Sequence, residues 1–295
     1  VPTASITTED GIALHTESYG HGAPLIFVHE FGGSYWSWEP QISHFSRRFQ
    51  CVTFAARGYP PSDIPKQTEQ YSQNRAADDI IAVMDGLGIK QAHLAGLSMG
   101  GFACLHAGLR HTERVLSITA AGTGYGAEKR FEDYFREVSA AVARNFEQRG
   151  TKDFAPTYAE GASRVQFQEK DPYGWRVFAE RLAQHDDTGA ANTMRGIQMM
   201  RPSLYDLRER LAALDLPVLV MTGDEDDHCL QPALFLKQTL PRCGLAVLPK
   251  SGHTLNLEEP ALFNRLLEDF LFSTIAGRWD KRDPRADPDQ VMRTK

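Results

Sequence analysis

Short apolar runs alternate with segments of helical period along the first 120 residues, and few folds accept that rhythm. Ala13 to Tyr19, Leu25 to Val28, Cys51 to Phe54, Ala92 to Ala95 and Val115 to Ala120 have the length and composition of strands. Between them, Glu39 to Arg48, Gln73 to Leu87 and Met99 to Leu109 repeat apolar residues at helical spacing. In the second of these, Ala77, Ile80, Ile81 and Met84 share a face, and Gly88 lies just past the end. The rhythm resumes late, with strands over Pro217 to Thr222 and Leu245 to Leu248 and helices over Pro232 to Thr239 and Glu259 to Phe272. Strands separated by helices of this length predict a mostly parallel central sheet flanked by helices on both faces, an α/β architecture.

The stretch 124–203 breaks the pattern. It has helical period, no clear strand, and many Tyr, Phe, Trp and Arg residues, so it is expected to be a helical cap inserted into a core formed by 1–123 and 204–276. From Gly277 the chain is charged and poor in apolar residues, and 277–295 is expected to be an irregular or mobile polar extension.

The chain has 295 residues, enough for one large core with an insertion, and its net charge of -6 argues against nucleic acid or an anionic membrane as the main partner. No apolar run is long enough to span a bilayer, and Val1 to Asp10 lacks the basic flank and apolar stretch of a secretory leader. Cys51, Cys104, Cys229 and Cys243 have no metal-type spacing and are expected to be buried free thiols, which fits a reducing cytoplasm. A small-molecule substrate is the expected partner, and a homodimer is left open.

Gly96-Leu97-Ser98-Met99-Gly100 has the form G-x-S-x-G, with a strand running into it and a helix leaving it. That context puts the Ser98 hydroxyl on a strained turn at the carboxyl end of the sheet, facing a helix N-terminus that favours developing negative charge. A serine needs a base. His253, in Ser251-Gly252-His253, follows the last strand and belongs at the same edge. The other histidines considered (His15, His44, His93, His106, His111, His185) have no comparable setting. The base needs an acid, and Asp224, Asp226 and Asp227 follow the preceding strand, giving the chain order serine, acid, histidine.

Four motifs together carry a resemblance: His29-Glu30-Phe31-Gly32-Gly33, Arg57-Gly58, Gly96 to Gly101, and Gly252-His253 followed by Leu257-Glu258-Glu259-Pro260. With them the chain resembles the α/β-hydrolase superfamily, in its capped esterase, lactonase and peroxidase-like branch, over nearly its whole length. The resemblance implies a catalytic triad of Ser98, His253 and Asp226, the last chosen by the family's G-x-x-D pattern, with Asp224 and Asp227 as alternatives. It implies an oxyanion hole from the backbone N–H groups of Met99 and Phe31, and no metal or organic cofactor.

Two departures stand out. The family usually has His-Gly where this chain has His29-Glu30, so Glu30 either bonds to the scaffold or reaches a substrate or water. The aspartate that often precedes Arg-Gly is missing before Arg57, which bears on a structural turn. Glu30, Tyr35 and Trp36 are expected at the substrate pocket, with cap aromatics such as Tyr125, Phe131, Tyr134, Phe135, Tyr158, Phe167, Tyr173, Trp175 and Phe178 and the pair Met199-Met200 as further candidates.

The expected activity is hydrolysis of a carboxylic ester or lactone of a small, largely apolar or aromatic molecule through an acyl-enzyme. Alternatives are a C–C bond hydrolase of a diketone-like ring-cleavage product, perhydrolysis as a side reaction, and a non-catalytic receptor on the same fold. A serine nucleophile argues against haloalkane dehalogenases and epoxide hydrolases, whose relatives place aspartate there.

Overall fold

A computed structural model describes residues 3–286. Eight strands form one sheet: β1 (Thr3–Thr7), β2 (Ala13–Tyr19), β3 (Ala23–Val28), β4 (Phe49–Phe54), β5 (Ala92–Leu97), β6 (Val115–Ala121), β7 (Val218–Gly223) and β8 (Cys243–Leu248). Their spatial order is β1-β2-β4-β3-β5-β6-β7-β8. β2 pairs antiparallel with β1 and β4, and every later pairing is parallel. The strand expected from Ala13 to Tyr19 has those bounds, the one expected from Pro217 to Thr222 is shifted by one residue, and the others gain one or two residues. β1 escaped the sequence reading because only Ile6 of its five residues is buried, so its apolar signal is a single side chain.

Core helices are α1 (Glu39–Phe45), α2 (Gln73–Gly86) and α3 (Met99–Arg110). Between β6 and β7 the chain forms α4 (Glu132–Ala159), α5 (Val165–Lys170), α6 (Pro172–Leu182), α7 (Asp187–Asn192), a π-helical turn over Thr193–Gln198, and α8 (Arg208–Ala212). The remainder is α9 (Asp227–Thr239), α10 (Leu255–Glu258) and α11 (Pro260–Ile275). α9 starts five residues before the expected Pro232, which sits inside it.

Alternation along each strand splits the core into two layers. Ile26, Val28, Val52 and Phe54 face α2, α3 and α9. Leu25, Phe27 and Cys51 face α1 and α11. Both sheet faces are covered, which is why β3 reads as an unbroken apolar run. Arg57, fully buried, is held by the carboxylates of Asp79 and Asp10. Those two acids stabilise the turn whose usual neighbouring aspartate is absent.

No strand lies between β6 and β7 among the described residues, so the insertion is helical. α4 breaks at Gly150, whose φ of 81° and ψ of 160° are non-helical. Beyond α11 the chain is irregular, but its first residues are anchored. The Trp279 indole packs edge-on against Phe270 and donates to the Arg242 carbonyl at 3.0 Å, while Arg242 donates back to the Trp279 carbonyl. Residues 287–295 of the expected extension lie outside the described residues. All four cysteines are buried free thiols. No helix among the described residues is long and apolar enough to cross a membrane.

Candidate active site

Ser98 sits between β5 and α3 with φ 54° and ψ -115°, a conformation that costs a non-glycine residue on the order of 1–3 kcal/mol. Tight packing around the turn sustains it. A Cβ on Gly100 would stand 2.0 Å from the Val28 carbonyl oxygen, and one on Gly96 would stand 2.3 Å from the Gly100 backbone. Glycine at both positions lets β3 and the turn close on each other. The Ser98 amide donates to the Ala121 carbonyl at 2.8 Å, which ties the turn to β6. Ser98 Oγ makes no hydrogen bond among the described residues, so it is free to turn toward a base or a carbonyl.

His253 stands on the loop after β8. Its Nδ1 lies 2.7 Å from Asp226 Oδ2, and both side chains are buried. Burial alone would raise the Asp226 pKa, but the charge and hydrogen bond of His253 outweigh it and hold the carboxyl below its ordinary value. Of the three candidate acids, Asp226 is the one that touches His253. Asp224 and Asp227 are exposed, and Asp224 accepts from the Ser251 amide at 3.2 Å. The histidine loop is held by Glu258, whose two oxygens both accept from the Gly252 amide at 3.0 Å. Cys229 completes a cluster in which Sγ and the Asp226 and His253 donor atoms lie within 4.8 Å of one another. Burial pushes the Cys229 thiol well above its usual pKa.

Across the cavity, the loop after β3 is fixed by its own histidine. The Ala56 amide donates to His29 Nε2 at 3.0 Å, so Nδ1 carries the ring proton and donates to the Glu30 carbonyl at 2.7 Å. Burial lowers the His29 pKa to about 4, so the ring stays neutral and the tautomer holds. A trans peptide points its C=O and N–H in opposite directions. Anchoring the Glu30 carbonyl therefore turns the Phe31 N–H away from His29. Tyr59 Oη donates to the Phe31 carbonyl at 3.0 Å and fixes the next peptide. The Phe31 and Met99 amides have no hydrogen-bond partners among the described residues, and both residues are buried.

Ser98, His253 and Phe31 line one cavity of about 450 Å³. Of the expected aromatics, Tyr125, Phe131, Tyr134, Phe135 and Tyr158 also line it. The pocket expectation for Glu30, Tyr35 and Trp36 is corrected, since none of the three lines the cavity. The Glu30 carboxylate is occupied by Arg164, Tyr35 turns its ring to His15 at 4.7 Å, and Trp36 lies under the Arg181 guanidinium. Phe167 and Phe178 pack the insertion against itself, Tyr173 is exposed, and Met200 is 68% exposed while Met194 reaches the cavity. Sequence reasoning missed Arg164, Gln198 and Phe154, because an isolated residue in a helical stretch carries no positional signal. Gln198 ends the π-helical turn, is buried, and has an unpartnered Oε1.

A family model described as the alpha/beta hydrolase fold matches residues 23–260. The chain belongs to the α/β-hydrolase family. This hydrolase is 28% identical over 272 residues to 3-oxoadipate enol-lactonase 1 of Acinetobacter baylyi, covering 91% of this chain and 96% of that protein. It is 26% identical over 272 residues to 2-hydroxy-6-oxo-6-phenylhexa-2,4-dienoate hydrolase of Burkholderia cepacia, covering 88% and 91%. A thermophilic esterase from Thermogutta terrifontis superposes on the hydrolase with a TM-score of 0.83 at 22% identity, covering 93% of this chain and 99% of that one, a likeness of fold.

Proposed function

We propose that this hydrolase cleaves a carboxylic ester or lactone of a small neutral molecule through an acyl-enzyme on Ser98. The observation that carries the reading is that Ser98, Phe31 and His253, the last paired with Asp226, line one aromatic-walled cavity. His253 takes the Ser98 proton as Oγ adds to the carbonyl carbon, and the carbonyl electron pair moves to oxygen, where the Met99 and Phe31 amides receive it. His253 then returns the proton to the leaving oxygen. It next draws a proton from water as that water attacks the acyl-enzyme.

The substrate's neutrality follows from charge. Among the described residues, Arg164 is the one lysine or arginine on the cavity wall, and Glu30 already matches its charge at 2.6 Å. An extra carboxylate on the substrate would find no unpaired lysine or arginine among the described residues of that wall. Aromatic and aliphatic walls favour an apolar or aromatic acyl or alcohol part.

The C–C hydrolase reading has the similarity to the Burkholderia cepacia protein in its favour. Hydrolysis of paired aryl esters and aryl diketones separates the two readings.

The first test is a fluorophosphonate probe read by intact mass, beside Ser98→Ala. A single adduct is expected on the wild type and none on the variant, with kcat on esters falling on the order of 10⁶-fold in the variant. An adduct that persists in Ser98→Ala sinks the assignment. A folded wild type that takes no adduct favours a receptor.

A further inference from the structure

The turn Ser163-Arg164 of the helical insertion packs into the active face, and the core makes room for it. A Cβ on Gly252 would stand 2.3 Å from the Ser163 carbonyl oxygen, and one on Gly32 would stand 2.9 Å from the Phe178 ring and 3.4 Å from Arg164 Nη2. The turn therefore enters between the loop after β3 and the loop of His253. The Ser163 carbonyl accepts from the His253 amide at 2.9 Å. Arg164 donates to both oxygens of Glu30, at 3.2 and 2.6 Å, and to Thr254 Oγ1 at 2.5 Å. Its guanidinium lies 4.6 Å from the Phe178 ring centroid and 5.5 Å from that of Tyr158, so its direction is fixed from the insertion side.

We propose that Arg164 is a positioning residue that joins the oxyanion loop to the histidine loop, so that the two halves of the site are held in register by the insertion. The inference rests on the proposed acyl-transfer reading. Glu30 is the residue before Phe31, and its side chain and carbonyl are both fixed, by Arg164 and by His29 respectively. Two anchors on residue 30 set the plane of the peptide that carries the Phe31 N–H. Thr254 is the residue after His253, so the same guanidinium fixes the base. The usual glycine in place of Glu30 would leave the first anchor out. The glutamate and the arginine are therefore one device, split between the core and the insertion.

This assignment separates positioning from packing. A misplaced Phe31 amide weakens binding to a tetrahedral oxyanion and leaves ground-state binding nearly unchanged. The test compares a trifluoromethyl ketone, which Ser98 attacks to form an oxyanion adduct, with the corresponding methyl ketone. The proteins are the wild type, Arg164→Lys, Arg164→Met and the double variant Glu30→Gln with Arg164→Met. In the double variant no buried charge is left unpaired, so it stays testable if Arg164→Met does not fold.

The expected result is a loss of trifluoromethyl ketone affinity on the order of 30-fold in both methionine variants, below the 10²–10³-fold of removing an oxyanion donor outright. Methyl ketone affinity changes less than about 2-fold on the same argument. Arg164→Lys, which keeps the charge but loses the bidentate fork, falls between. Equal losses on both ketones, or none, overturn the proposal while Ser98 labelling by the fluorophosphonate leaves the acyl-transfer reading standing. A wild type that neither labels nor prefers the trifluoromethyl ketone overturns both.

Discussion

The turn that carries Ser98 and the helical insertion that covers it are built in opposite ways. The turn is local. Gly96, Ser98 and Gly100 lie within five residues, every side chain of β5 is buried, and the restraints are backbone against backbone at distances no side chain would tolerate. The insertion is joined to the active face by contacts between residues far apart in the chain, apolar where Phe146 and Tyr158 meet Phe31 and polar elsewhere. Arg164 reaches Glu30 and Thr254, Gln166 reaches Glu225, and Lys170 reaches Ser251, Glu258 and Glu259. Tight apolar and backbone packing has one solution and resists displacement. Directional polar contacts hold a surface in register and can part with modest local cost if water replaces them. Ser98 is thus placed by short-range backbone packing, and the insertion is set over it by contacts between residues distant in the chain.

If the chemistry resides in the core side, disabling the acid there has the largest effect. Asp226→Asn is expected to lower kcat on the order of 10⁴-fold, because His253 loses the partner that sets its tautomer and stabilises its charge, while the insertion's contacts stay intact. A loss confined to KM would place the chemistry elsewhere.

One substitution made in both regions sharpens the contrast. Gly100→Ala drives a Cβ to 2.0 Å from the Val28 carbonyl and is expected to cost more than about 3 kcal/mol of global stability. Gly150→Ala, with φ 81° and its nearest neighbour a carboxylate oxygen at 3.3 Å, is expected to cost about 1–2 kcal/mol, read as faster amide exchange in the insertion alone. Denaturant melts and hydrogen exchange distinguish them, and equal global losses would erase the distinction.

A further contrast is a pH dependence at the junction of the two regions. His185 is buried beside Tyr59 and Trp36, both ring nitrogens lack partners, and burial together with nearby His29 lowers its pKa to about 3. His29, His93 and His106 are lowered to about 4, each chiefly by burial. Unfolded histidines take up protons near 6.5, which these folded ones refuse. Stability is therefore full above about pH 6.5 and falls as pH drops toward 4, by up to about 1.4 kcal/mol per pH unit for each histidine. His185→Phe is expected to reduce the slope between pH 6.5 and 4 by one proton. An unchanged slope in paired melts would show that His185 does not titrate on unfolding.

Much of this protein was legible in its sequence. The period-2 and period-3.6 patterns located seven of the eight strands, since burial on both sheet faces forces apolar runs that stand out in any reading. Ser98 and His253 were legible because a strained turn and a close approach demand glycine at fixed offsets. Asp226 was narrower than its local sequence, since three aspartates within four residues share one composition, and only the loop's path decides which carboxylate meets the imidazole.

What tertiary structure alone decided is the wall of the cavity and the partner of Glu30. Tyr35 and Trp36 follow the loop after β3 in sequence yet turn away from the cavity, and Arg164, 134 residues from Glu30, turns toward it. Local propensity depends on neighbours along the chain, which the sequence supplies directly. A buried ion pair or a cavity wall depends on which distant surfaces meet, and that is settled only when the insertion packs down on the sheet.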